Sequence, residues 1–135
     1  MNLLETENEL IETYSFIEDR HERLNAIISR QIIGLELVFS ERLDEFLVKG
    51  CSSQVWLNVE VVDRKLKARF AADSVMVKGL VSLLVQLYNN STLTDAQNFS
   101  PRLLEVLELD RMLSPTRLHG LAQVIRTFKE ASHVD

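Results

Sequence analysis

Between Gly50 and Ala72 the apolar pattern changes period, and no other feature narrows the choice of fold so far. Val55, Leu57, Val59 and Val61 alternate with Gln54, Trp56, Asn58 and Glu60, the period of two that sends successive side chains to opposite faces of a strand. Beyond Asp63-Arg64, the residues Leu66, Ala68, Phe70 and Ala72 alternate with Lys65, Lys67 and Arg69. Two alternating runs with a short polar gap predict an antiparallel hairpin with one wet face, its first strand covering 54–62. The three basic residues read as that solvated face, with a binding patch as the alternative.

On either side the spacing is helical. Leu10, Ile11, Tyr14 and Ile17 predict a helix over 5–19. The run Glu18-Asp19-Arg20-His21-Glu22-Arg23 reads as a solvated helix face, with Asp19 and Arg23 spaced as an i,i+4 pair. Leu24, Ile27, Ile28, Ile32, Ile33 and Leu35 continue the apolar pattern, and Ser40 is placed to cap a short helix over 41–48. Asp73 or Ser74 opens a helix that reaches Tyr88 and is apolar on nearly all sides, so it belongs at the centre of the fold. Gly79 inside it implies close packing, because glycine there is otherwise about 1 kcal/mol worse than alanine. Ser100-Pro101 and Ser114-Pro115 each read as an N-cap followed by proline at the first helical position, opening helices over 101–113 and 115–131. The second carries Leu118, Leu121, Val124, Ile125 and Phe128 on one stripe. The fold class is α+β, a small antiparallel sheet flanked by helices, expected as one domain over 1–135.

Composition removes several classes of function. A net charge of -5 argues against a nucleic-acid partner. No apolar run approaches the roughly 18 residues of a membrane span, and the first residues lack a secretory leader's basic start and apolar stretch. With one cysteine, Cys51, there is no internal disulfide, so a reducing cytoplasm is the expected location. His21, His119 and His133 are too scattered for a metal site, which needs about four ligands. Four glycines form no phosphate-binding loop.

That leaves the thiol. Cys51 follows Gly50 and precedes Ser52-Ser53 at the junction of helix and strand, residues that favour a turn. A turn is a poor place to bury a small apolar group and a good one to present a thiol. Its reactivity requires thiolate, which a neighbouring cation promotes. Lys49 is adjacent, and Arg117 and His119 qualify if the last helix packs beside the turn. Trp56, on the polar strand face, is a candidate for lining the groove around the thiol. A hydrolase pairing Cys51 with His119 is conceivable but lacks any further signature.

Three segments resemble the SufE family of sulfur-accepting proteins. They are Gly50-Cys51-Ser52-Ser53-Gln54-Val55-Trp56-Leu57, then Ala72-Asp73 with Val77-Lys78-Gly79-Leu80, and Leu113-Ser114-Pro115-Thr116-Arg117 with Gly120-Leu121. The resemblance spans about residues 46 to 128. It implies a fold like SufE and the scaffold protein IscU, and a role in which Cys51 takes persulfide sulfur from a cysteine desulfurase of the SufS or CsdA kind and passes it to an iron–sulfur scaffold complex. The desulfurase uses pyridoxal phosphate, and no cofactor is implied on this chain. Gly50, Ser53, Gln54, Trp56, Asp73, Arg117 and His119 follow as residues for thiol tuning or partner docking, and a homodimer is left open. The sequence departs from the family pattern before Glu45, at Phe46 where asparagine is common, at Ala72 for serine, and at His119, where asparagine is frequent. A non-carrying activator of a desulfurase, or a carrier serving tRNA or cofactor thiolation, stands as the alternative.

Overall fold

The computed structural model describes residues 2–30, 32 and 34–133. Ile33, within the expected apolar run, lies outside them. The predicted hairpin is present as β1 (Val55–Val62) and β2 (Lys65–Ala72), paired antiparallel from Val55 opposite Ala72 to Val62 opposite Lys65. Asp63 and Arg64 both have positive φ, 52° and 62°, the mirror-image turn whose twist suits a two-residue hairpin. Val55, Leu57, Leu66, Ala68 and Phe70 face the core, while Val61 and Val62 reach beyond it at the exposed tip.

The basic strand face is tied down. Arg69 forms a two-pronged pair with Glu41 at 2.6 and 3.0 Å and donates to the Glu36 carbonyl at 2.8 Å. Lys67 bonds to Asn90. A segment read as apolar helix pattern instead runs extended along the free edge of β2: the Leu37 N–H donates to the Phe70 carbonyl at 2.7 Å, and the Phe70 N–H to the Leu35 carbonyl at 2.8 Å. The expected helix over 41–48 resolves into two 3-10 turns, Phe39–Glu41 and Asp44–Phe46. Ser40 sits inside the first instead of capping a helix. The Glu41 carboxylate accepts from the Val38 N–H at 3.0 Å while also holding Arg69, which locks a tight turn at the point where a helix would start.

Helices pack on the apolar face of the hairpin. α1 spans Leu3–Ser15 and α2 spans Arg20–Ser29. The charged run between them is not one solvated helix face. Asp19 caps α2, accepting from the His21 and Glu22 N–H groups, and those bonds lower its pKa. Arg23 is buried, donating to the carbonyls of Ile17 and Leu107 and lying 3.6 Å from Glu108. α3 (Val75–Tyr88), capped by Ser74, is the central helix, with nine of its residues buried. It crosses α2 at Gly79, where a Cβ would lie 2.6 Å from the Ile28 Cα.

The C-terminal third departs most from expectation. Ser100-Pro101 caps nothing. A short α4 (Leu93–Asn98) precedes it, and of the helix expected over 101–113 only Leu103–Val106 is α-helical, as α5. Its first N–H groups, on Arg102 and Leu103, are met by the buried Glu7 carboxylate at 2.6 and 3.2 Å. Leu103, Leu107 and Leu109 are all fully buried, which one regular helix face cannot provide; Glu108 at φ 60° breaks the helix into a 3-10 turn over Leu109–Arg111. Ser114-Pro115 does open a helix, α6 (Pro115–Ser132), the Ser114 hydroxyl accepting from the Arg117 N–H. Leu121, Val124 and Phe128 are its buried stripe, and Phe128 stacks on Tyr88 with ring centroids 4.6 Å apart.

Gly79→Ala is expected to destabilise the protein by about 1–2 kcal/mol. The overpacking, typically about 1–3 kcal/mol, falls on backbone that no side-chain rotation relieves, and it outweighs the helix-propensity gain of about 1 kcal/mol. Urea unfolding checks this: the midpoint falls while the slope is unchanged.

Candidate thiol site

The cysteine turn is clamped at both stems. On the inner side the Val48 N–H donates to the Val55 carbonyl at 2.8 Å. On the other, the Gln54 N–H donates to the Asp73 carboxylate at 3.1 Å and the Asp73 N–H donates back to the Gln54 carbonyl at 3.1 Å. Asp73 therefore works through backbone, and the Gln54 side chain is left exposed. Residues 49–53 form the free tip.

α6 runs beside this tip, and two glycines set the approach. Gly50 has φ +89°, and a Cβ on it would lie 3.0 Å from His119 Nε2 and 3.3 Å from the Gln123 side chain. Left-handed backbone and lack of room both select glycine there. On the helix, a Cβ on Gly120 would lie 3.2 Å from Cys51 Sγ. The thiol occupies the space that this side chain leaves empty.

Cys51 is thus turned inward. The sequence suggests a presented thiol; the structure makes it half-buried, with Sγ donating to the Gly120 carbonyl at 3.7 Å. The pocket around it leaves only about 20 Å³ of space for a water-sized molecule, and its wall is mainly Val55, Val77, Leu80, Leu121 and Val124. Burial pushes the thiol pKa up from its ordinary value, because apolar surroundings disfavour the anion. The resting side chain is a neutral thiol. Serine turns are common at surfaces, and only the course of α6 shows that this one faces a wall.

Ser53 lines the pocket, as does Arg117, whose guanidinium donates to Met76 Sδ at 3.0 Å and makes no ion pair among the described residues. His119 is exposed at the pocket's edge and lies against Gly50 rather than in the pocket. Lys49 is exposed and borders a separate groove with Gln123 and Arg126. Trp56 is not part of the site. Strand alternation sends it to the face opposite Val55, where Arg42 lies over its ring at 5.6 Å. His21 and His133 remain apart from the thiol, and among the described residues no three His, Cys, Asp or Glu side chains gather as a metal site requires.

The family model described as "SufE: Fe-S metabolism associated domain" matches residues 8–132. The chain belongs to the SufE family. An uncharacterized SufE-like protein of Synechocystis sp. (strain ATCC 27184 / PCC 6803 / Kazusa) is 34% identical over 79 residues, 58% of this chain and 50% of that protein. The chain thus spans about half the length of that relative. The solution structure of a hypothetical protein from Thermus thermophilus superimposes with a TM-score of 0.69 at 16% identity, covering 94% of this chain and 93% of that one; it shares the α+β fold. Within the SufE frame, Gly120 is the residue that sequence reasoning passed over. Its signal was present: a glycine inside a well-capped helix calls for a close approach by something.

Gly120→Ala is expected to raise the rate of Cys51 alkylation by iodoacetamide several-fold, since loss of about 1 kcal/mol from the docked turn is roughly a fivefold change in its open fraction. Thermal stability changes little, because the turn gives way and the helix gains alanine. A second expectation concerns pH. The folded state holds the Cys51 proton to higher pH than the unfolded chain does, so this contribution is complete below the unfolded thiol's pKa, about 8.5, and is lost as pH rises through the folded value. Urea midpoints from pH 7.5 to 10.5 check it: wild type loses stability more steeply than Cys51→Ser.

Proposed function

We propose that this protein is a sulfur acceptor and carrier, with Cys51 as the residue that receives sulfur from the persulfide of a cysteine desulfurase and delivers it to iron–sulfur cluster assembly. One observation carries the reading: helix α6 omits a side chain at Gly120 where the thiol rests. A module that only activated a partner would have no use for a place fitted to sulfur.

The chemistry is thiol exchange at sulfur, which asks for one thiolate, access and a leaving thiolate. Cys51 Sγ attacks the terminal sulfur of the persulfide. The bond from that sulfur to the desulfurase cysteine breaks, and its electron pair departs as thiolate. The sulfur is handed over without net oxidation. Sulfur abstraction belongs to the pyridoxal phosphate of the desulfurase, so the carrier contributes a side chain and no cofactor.

In the docked position the thiol is neutral and half-covered, so transfer requires the tip to leave the pocket. The architecture supports that motion: residues 49–53 hang between fixed stems, and few bonds hold the tip besides the weak Sγ–H···O contact with Gly120. A desulfurase that favours the open turn supplies the differential binding that shifts the equilibrium. A resting thiol kept neutral in a reducing cytoplasm is also shielded from oxidants.

Intact-protein mass spectrometry after incubation with a cysteine desulfurase and cysteine tests the reading. Wild type gains one sulfur that reductant removes, and Cys51→Ser gains none while still folding. If Cys51→Ser stimulates the desulfurase as well as wild type and neither chain carries sulfur, the protein is an activator and the carrier reading fails.

A further inference from the structure

We propose that His119 takes the Cys51 proton as the turn leaves its pocket, making the thiolate on this chain instead of relying on the partner to do so. The inference rests on the sulfur-acceptor reading, although its first readout needs no desulfurase.

The docked thiol gives its hydrogen to the Gly120 carbonyl, which orients the proton but is too weak a base to remove it. His119 immediately precedes Gly120 on α6, and its Nε2 lies where a side chain on Gly50, the residue before the cysteine, would fall. The imidazole therefore borders the tip on the solvent side, and the bond that releases the thiol ends on the adjoining residue. With the stems at Val48–Val55 and Gln54–Asp73 held by backbone bonds, the proposed outward path of the tip passes the Gly50 side, where His119 stands. Imidazole is the side-chain base whose ordinary range meets neutral pH.

The groups around His119 leave that role open. Of the turn it is Gly50 that lies against the imidazole. Lys49 borders the groove beside Gln123 and Arg126, and the Cys51 thiol points into the pocket. Arg117 and Arg126 lie on the helix of His119, where Arg126 is paired with Glu130 at 2.8 Å. No carboxylate forms an ion pair with the imidazole among the described residues. Arg117 lies on the pocket side, bonded to Met76, and has no lone pair with which to accept a proton. The Sγ–H bond of Cys51 breaks to His119 Nε2 as the turn opens, and in the transfer step the resulting thiolate bonds to the terminal persulfide sulfur. The sulfur–sulfur bond on the desulfurase cysteine opens, and the proton held on His119 is available to that leaving thiolate.

The test is the pH profile of Cys51 alkylation by iodoacetamide in wild type and His119→Asn. Wild type is expected to react about tenfold faster than the variant near pH 7.5, a modest share of what a positioned base contributes. The advantage of wild type depends on pH, and the two rates converge above pH 10, where the thiol ionises without help. A difference in rate that is the same at every pH means that His119 only packs against the turn, and overturns the proposal, as does no difference at all. Single-turnover sulfur transfer from a desulfurase separates the two readings. Transfer to both chains with one common pH profile rejects the role of His119 and keeps the carrier. Alkylation that depends on His119 without any sulfur transfer keeps the proton acceptor and rejects the carrier.

Discussion

The closeness of α6 to the cysteine turn is the constraint on which the rest depends. Two missing side chains permit it, at Gly50 on the turn and at Gly120 on the helix. With both backbones this near, the thiol reaches a carbonyl acceptor and an apolar wall at once. Burial then raises the thiol pKa, and the hydrogen bond to Gly120 fixes where the proton points. The hairpin and the central helix matter to the site mainly because they set that separation: Val55 and Val77 supply one wall, Leu121 and Val124 the other.

Much of this was readable from residue order alone, where local periodicity decides the outcome. The hairpin follows from a pattern of two that a helix cannot satisfy, and its Asp63-Arg64 turn from the short polar gap. Ser114-Pro115 opens a helix because the cap and the fixed proline φ act within one turn of chain. Gly79 announced a close crossing, and α2 is there to meet it. The structure brings Cys51, Ser53 and Arg117 around one pocket with His119 at its edge, a proximity that the sequence left conditional on the last helix packing beside the turn.

What stayed hidden was decided by partners far along the chain. Arg23 looked like a surface charge, yet carbonyls at Ile17 and Leu107 accept its protons and make burial tolerable. Ser100-Pro101 has every local mark of a helix start, but Glu7 meets the exposed N–H groups one and two residues later and relocates the boundary. Trp56 stands on the polar strand face, as its alternation predicts; what the sequence does not carry is that the thiol pocket lies on the Val55 side of the sheet. The inward turn of Cys51 depends on where α6 passes, and a turn's own residues carry no record of that.

Glu7 joins two segments far apart in the chain that local forces would leave separate. Its carboxylate is fully buried, one oxygen closes the start of α5 from 95 residues away, and the other lies 3.8 Å from Arg102. Its charge also adds to burial in pushing the Tyr88 hydroxyl well above the usual range. α5 spans only four residues, too few to stand as an isolated helix. Its stability therefore depends on α1, and the first helix and the segment after Phe99 are expected to exchange amide hydrogen as one unit. Cys51 lies on neither partner of that clasp, so a movement of the turn need not disturb the tie between the first helix and the segment around Leu103.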